Sequence, residues 1–477
     1  MFREYRQFYI DGHWVDPIQR TEFMVINPAT EQPAGVISMG GVKDVDAAVA
    51  AARRAFDGYS RSTREERLDL MKRILVEYKK RLNDVALAIS DEMGAPMGMA
   101  KSSQAGVGVG HITAMIDVLQ NFKFEERQGP ARLVHEPVGV CALITPWNWP
   151  INQVAAKVVP ALAAGCTMVL KPSEFSPFSA MVWAEVMHAA GVPAGVFNMI
   201  NGEGAVVGAA LAAHPQIDMV SFTGSTRAGT EVARVAAATV KRVHQELGGK
   251  SPNIILDDAD LQTAVKASVL HVIENTGQSC NAPTRMLVPA AKLAAVEQIA
   301  KSVAQSVVVG DPKAPQTVMG PVVSKIQYDR VEGYISKGIA EGAKLVVGGE
   351  GRPEGITTGY FVKPTIFSNV NNSMTIAREE IFGPVLCLLP YRTEEEAIQI
   401  ANDTPYGLAA YIWSKDIARA NRVGGRIRAG RVTINGASGD MKTPFGGFKA
   451  SGNGREWGEY GLRDFLEVKA MIGADAA

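Results

Sequence analysis

"VGVCALI" at Val138–Ile144, "TMVL" at Thr167–Leu170, "VFNMI" at Val196–Ile200 and "DMVSF" at Asp218–Phe222 are short apolar runs separated by longer segments rich in small residues. Their starts lie roughly 22 to 30 residues apart, the length of a strand plus the crossover helix that a parallel neighbour requires. The series therefore predicts a doubly wound parallel α/β sheet. A second series runs through "SPNIIL" (Ser251–Leu256), "TRMLVP" (Thr284–Pro289), "AKLVVGG" (Ala343–Gly349), "PVLCLLPY" (Pro384–Tyr391) and "GRVTIN" (Gly430–Asn435). Two α/β domains in tandem follow from it.

Upstream, Val45, Ala48, Val49, Ala52 and Phe56 fall at helical spacing, and Leu68, Met71, Leu75, Tyr78 and Leu82 continue that step until Gly94 and Pro96 break it. "FKFEERQGPARLVHEPVG" (Phe122–Gly139) alternates polar and apolar around Gly129 and Pro130 and reads as a hairpin too polar for a core. Such a hairpin has open edges that favour association. "GVGVG" (Gly106–Gly110) follows no strand and is not read as a phosphate loop.

At 477 residues the chain exceeds one small core, and its composition is that of a globular protein, 47% hydrophobic and 21% charged. Lysine plus arginine and aspartate plus glutamate balance at 49 each, so no charged field recommends nucleic acid or an anionic membrane. No apolar run reaches the roughly 18 residues of a membrane span, and the N-terminus lacks signal-peptide order. A cytoplasmic location is expected. Four cysteines make a disulfide framework improbable, and no spacing suggests a metal site.

Cys141, Cys166 and Cys387 sit in apolar strand-like runs, whereas Cys280 lies in the polar stretch "NTGQSCNAPTR" (Asn275–Arg285). A thiolate suits attack on a carbonyl carbon, and the covalent intermediate then needs an oxyanion site and a base that activates water. Asn148 in "ITPWNWP" (Ile144–Pro150) can supply an amide donor, and Glu246 in "QELGGKSP" (Gln245–Pro252) a carboxylate beside two glycines.

Taken together, "ITPWNWP", "LKPSE" (Leu170–Glu174), "FTGSTRAG" (Phe222–Gly229), "ELGGKSP", "GQSC" (Gly277–Cys280), "EEIFGPV" (Glu379–Val385) and "PFGGFKASGNGRE" (Pro444–Glu456) resemble, in order and approximate spacing, the signature series of the NAD(P)-dependent aldehyde dehydrogenases. The resemblance implies two doubly wound α/β domains, a Rossmann-like cofactor domain from 1–121 and 138–248 and a catalytic thiol domain from 249–448. Segments 122–137 and 462–477 would serve association, as a homodimer or homotetramer. It implies Cys280 as the nucleophile, Asn148 and the Cys280 N–H as oxyanion donors, and Glu246 as the base that hydrolyses the thioester. Relatives that pass the acyl group to coenzyme A generally lack this glutamate, so hydrolysis is expected; the coenzyme A-acylating type and a non-catalytic protein on the same scaffold are the alternatives.

By the same resemblance, Trp147, Lys171, Ser173, Glu174, Gly224, Ser225, Leu247, Glu380 and Phe382 would contact the cofactor. Glu174 favours NAD, because a carboxylate accepts from a ribose hydroxyl and repels a 2′-phosphate, although a shift of Lys171 and Ser173 leaves NADP open. Lys157, Lys250 and Asn435 are expected to frame the site, Arg242, Arg455 and Glu467 to form an ion-pair network, and His244 and His271 to be packing residues. Trp149, Asn152, Gln153, Ala156, Ser279, Asn281, Gly439 and Phe445 would line the aldehyde pocket. With Asn152, Gln153, Ala156, Gly439, Asp440 and Met441 where relatives carry aromatic residues, a wide, polar mouth is expected. It would suit a longer aliphatic, semialdehyde or aromatic substrate, with no arginine on the wall to clamp a carboxylate.

Overall fold

The computed structural model describes residues 2–473; Met1 and the end of the expected association tail, 474–477, lie outside the described residues. The four runs of the first apolar series form parallel strands that Arg242–Glu246 joins as a fifth, in the spatial order 242–246, 219–223, 140–144, 167–171 and 197–199. Antiparallel edges close it, Gly452–Asn453 beside 242–246 on one side and the hairpin 8–10/13–15 beyond 197–199 on the other. The second series forms a seven-stranded sheet in the order 344–347, 365–368, 385–391, 285–289, 252–255, 409–413 and 431–434, parallel except for its first strand.

Strands Thr365–Ser368 and Ala409–Trp413 were not among the predicted runs. The N-terminal strands were also missed, including the separate three-stranded sheet of 3–5, 32–39 and 21–27. Thr365–Ser368 and the N-terminal strands are short or interrupted by polar residues, so periodicity alone does not set them apart, whereas Ala409–Trp413 is a continuous apolar run that the sequence reading passed over. The four core strands between the edges of the first sheet are buried along their whole length. Apolar clusters cover both faces of each large sheet, as parallel sheets require.

The helical series after Leu68 is two helices, Arg64–Lys80 and Leu82–Met93, rather than one. Thr63 and Glu66 make a reciprocal capping box at the first, and the break falls at Arg81, whose guanidinium reaches Asp84 and Glu185. Gly94, in the left-handed region at φ 72°, ends the second. "GVGVG" opens the helix Gly106–Asn121.

The polar hairpin forms as strands Glu125–Gln128 and Ala131–Pro137, and Leu466–Ile472 pairs antiparallel with the latter. After Leu466 every residue of that last strand is exposed, Val468 and Ile472 among them. Arg242 bonds Glu467 at 2.6 Å and donates to the carbonyls of Asp464 and Leu466. Arg455 departs from the expected network: its guanidinium donates to the carbonyls of Gly447 and Gly454. No described helix is long and apolar enough to cross a membrane.

Arg285 ties the second sheet to its helices. Fully buried at the start of strand Arg285–Pro289, it donates to the carbonyls of Lys250, Ile400 and Ala401 and to Asn372 Oδ1, all within 3.0 Å. Arg285→Met leaves these acceptors without a donor and is expected to cost on the order of 3 kcal/mol, read as a lower thermal midpoint. Arg426→Ala, which removes an exposed pair with Glu395, is expected to leave the midpoint near wild type.

Candidate active site

Cys280 follows a turn of unusual backbone. Asn275, Thr276 and Gly277 are all left-handed, at φ 51°, 55° and 71°. Two non-glycine residues in this region cost of order 1 to 3 kcal/mol each unless the surroundings enforce them. Three buried amide side chains do so: Asn275 Nδ2 donates to the Asn148 carbonyl at 2.8 Å, and Gln104 Nε2 donates to Asn275 Oδ1 at 3.1 Å. Gln278 Nε2 donates to the Asn275 carbonyl, while Gln278 Oε1 accepts from Val323 N–H at 2.9 Å. Thr276 Oγ1 donates to the Gly320 carbonyl. A Cβ on Gly277 would lie 2.2 Å from the Gly383 carbonyl, so only glycine fits there.

Asn148, 3% exposed, spends one amide hydrogen on the Gln278 carbonyl at 2.9 Å. A primary amide has two, and the second is free for an oxyanion. Asn148, Gln153 and Cys280 line one cavity of about 280 Å3. Burial, then the nearby Glu380 and Glu246 carboxylates, push the Cys280 thiol well above its ordinary value, while the backbone N–H groups of Asn281 and Cys280 work the other way. These influences favour the protonated thiol, so attack needs a base or a bound positive charge to draw its proton away.

Glu246 ends strand Arg242–Glu246 with a carboxylate that is 2% exposed and accepts no hydrogen bond among the described residues. Burial pushes it up to about 7 against the lowering influence of His244 and Lys157. A carboxyl tuned to neutrality is suited to general base work. His244 is not a packing residue: its Nε2 lies 3.6 Å from Glu246 Oε1 and its Nδ1 2.5 Å from Asp464 Oδ2. Burial opposes its charge, yet the Asp464 and Glu246 contacts outweigh this and raise it to about 9. Lys157, also fully buried, bonds Glu456 at 2.6 Å and Ser221 at 3.1 Å. Lys250 Nζ is buried without a hydrogen-bond partner among the described residues, and Asn435 bridges to the backbone of Ser414.

The expected cofactor residues gather at the carboxyl ends of the first sheet's strands, where open α/β sheets place ligands. Trp147, Gly224, Ser225, Leu247, Glu380 and Phe382 line the same cavity as Cys280. Ser225 caps helix Thr226–Ala236 by accepting from Ala228 N–H, leaving other N–H groups of that turn for an anion. Trp147 meets Phe382 edge to face at 5.3 Å. Glu380 accepts from Gly249 N–H at 2.9 Å through one oxygen; burial raises it to about 7, and its other oxygen has no donor among the described residues. Lys171 and Glu174 pair at 3.0 Å outside this cavity, with Ser173 buried between them.

On the opposite side the expected pocket residues divide. Trp149 Nε1 donates to Ser279 Oγ at 2.8 Å, Asn152 Oδ1 meets His111 Nε2 at 2.8 Å, and Ala156 is buried behind them. Phe445 stacks on Trp457 at 4.9 Å, and Trp457 meets His111 edge to face at 5.5 Å. Trp457 and His111, from segments not assigned to the pocket, thus pack against two of its expected residues. Trp457 follows directly on the quoted "PFGGFKASGNGRE", and His111 directly on "GVGVG". Asn281 and Gly439 line a second cavity of about 320 Å3 with His271, Tyr411 and Arg431. Arg431 stands in this second cavity beside Gly439, at a position not among the expected wall residues, and His271 faces the cavity instead of only packing. Gln104, in the π-helical stretch Ala100–Ala105, carried no sequence signal, although such stretches gather at functional sites.

The sequence profile of the aldehyde dehydrogenase family matches residues 14–471. A 3-succinoylsemialdehyde-pyridine dehydrogenase of a Pseudomonas species is 58% identical over 476 residues, covering 100% of both chains. The crystal structure of an aldehyde dehydrogenase C variant from Pseudomonas syringae, complexed with NAD+ and octanal, superposes with a TM-score of 0.98 at 52% identity, covering 99% of this chain and 97% of that one. A Mycobacterium tuberculosis aldehyde dehydrogenase complexed with NAD+ gives a TM-score of 0.97 at 40% identity, covering 99% of each chain. With the thiol, the amide and the carboxylates at the ends of these strands, the chain belongs to the aldehyde dehydrogenase family.

Proposed function

We propose that the chain oxidises a longer or functionalised aldehyde to its carboxylic acid with NAD+, through a thioester on Cys280 that Glu246 hydrolyses. The observation that carries this reading is one cavity holding Cys280, Asn148 and Glu380, with Glu246 in electrostatic reach of the thiol. In it, 1–121 and 138–248 carry the cofactor, 249–448 the thiol, and 122–137 with 462–477 join subunits into a dimer or tetramer. The exposed apolar residues Val468 and Ile472 support that last role.

The thiol first gives its proton to solvent water, and Sγ then bonds the aldehyde carbon while the carbonyl electron pair moves onto oxygen. The free Asn148 amide hydrogen and the Cys280 N–H hold that oxyanion, and their fixed positions mean that little reorganises as charge develops. When bound, NAD+ supplies the hydride acceptor. Ser225 and its helix N-terminus would hold the pyrophosphate, Lys171 and Glu174 the adenosine ribose, and Glu380 the nicotinamide ribose. The oxygen of Glu380 that lacks a donor fits a ribose hydroxyl. Glu246 then takes a proton from water, whose oxygen attacks the thioester, and the carbon–sulfur bond breaks to release the carboxylate and Cys280.

The names of two relatives, a semialdehyde dehydrogenase and an octanal complex, support substrates longer than acetaldehyde. A panel of aldehydes from two to ten carbons, followed by NADH absorbance, is expected to give the highest kcat/KM above four carbons and faster turnover with NAD+ than with NADP+. Cys280→Ala is expected to abolish the signal; wild-type turnover by that variant would overturn the mechanism. Because Glu246 works as a base only when ionised, activity is expected to rise with pH through about 7. Glu246→Gln should lower kcat about 100-fold or more and flatten that limb, with steady-state rates at pH 5.5 to 8.5 as the check.

A further inference from the structure

The cavity of about 320 Å3 beside Asn281 belongs to no step of the mechanism, yet it adjoins the thiol loop. Tyr411 connects the two: its hydroxyl donates at 3.0 Å to the carbonyl of Asn281, the residue that follows the thiol. Gly439, from the loop ahead of Phe445, forms the opposite rim.

Arg431 is the cation of this cavity. It makes no hydrogen bond or ion pair with any described residue; its guanidinium carbon lies 5.8 Å over the Trp457 ring, which is stacked on Phe445. No aspartate or glutamate lines the cavity. Burial, then Arg431, lower His271 to about 4, so it is neutral at physiological pH and adds no charge of its own. Glu274, at the exposed end of the thiol loop, forms no pair with Arg431 either and is not part of the wall. A guanidinium presents five donors in a planar fork that matches a carboxylate or carbonyl oxygen, and here those donors have no protein acceptor.

We propose that Arg431 is a specificity-determining residue that binds an acceptor oxygen at the distal end of the aldehyde. The substrate class is then a bifunctional aldehyde, a semialdehyde bearing a carboxylate or a second carbonyl several carbons from the reacting one. This inference rests on Cys280 being the nucleophile, which orients the aldehyde end inward and leaves the distal end toward Asn281 and Gly439. A plain alkyl chain would leave the fork unpaired, and a site built to hydrogen-bond a substrate group discriminates against analogues lacking it.

The test compares three aldehydes of six carbons, an unfunctionalised one, one with a terminal carboxylate and one with a distal ketone, on wild type, Arg431→Met and Arg431→Lys. Wild type is expected to prefer at least one acceptor-bearing aldehyde over the plain one in kcat/KM. In Arg431→Met that preference should fall by about 10- to 100-fold, mainly through KM. Arg431→Lys should recover part of it if the acceptor is the carboxylate and little if it is the ketone, which separates the two sources. Gly439→Ala offers a second reading, because the added methyl would lie 2.2 Å from Arg431 Nη2 and displace the fork. It should reduce the same preference without removing the charge. An unchanged preference in Arg431→Met, or no wild-type preference, would overturn the inference while leaving the dehydrogenase reading intact. Absence of NADH from all three aldehydes would instead overturn the dehydrogenase reading and this inference with it.

Discussion

The left-handed turn Asn275–Gly277 is the constraint on which the site depends. It turns the chain from the end of helix Leu261–Ile273 so that Cys280 meets the carboxyl ends of the first sheet's strands. The local cost is offset by amides drawn from two distant segments, at Gln104 and Asn148, and from the turn itself. The same Asn148 that stabilises the turn through its carbonyl keeps one amide hydrogen for an oxyanion. Fixing the nucleophile and fixing the oxyanion donor are one structural act.

Electrostatics around that turn follow from burial. Burial raises two carboxyls, Glu246 and Glu380, to about 7, and both in turn raise the thiol. The oxyanion donors meet the charge that develops on the substrate oxygen as the thiol adds. His244 and Asp464 on one side, and Lys157 with Glu456 on the other, place ionisable groups behind Glu246 without ion-pairing it directly at hydrogen-bond distance.

Much of this was legible in the sequence for physical reasons. Strands buried on both faces read as continuous apolar runs, which is why "VGVCALI" and its successors located the first sheet. Cys280 was legible because it alone among four cysteines had polar neighbours. Edge and connecting strands such as 365–368 and 8–10 were not, since a three- or four-residue element carries too little periodicity. The aromatic cluster of Phe445, Trp457 and His111 was missed because Trp457 and His111 approach from segments 346 residues apart in sequence, which only the fold brings together. Arg431 was missed for a related reason: its position within a strand hides that the glycine at 439 leaves room for the guanidinium.

The most direct measurement of the central claim is intact mass spectrometry of Glu246→Gln incubated with NAD+ and a good aldehyde. With hydrolysis slowed, the account predicts a mass gain equal to one acyl group per chain, mapped by peptide analysis to Cys280. An acyl group on another residue, or NADH formed stoichiometrically with no covalent adduct, would contradict it.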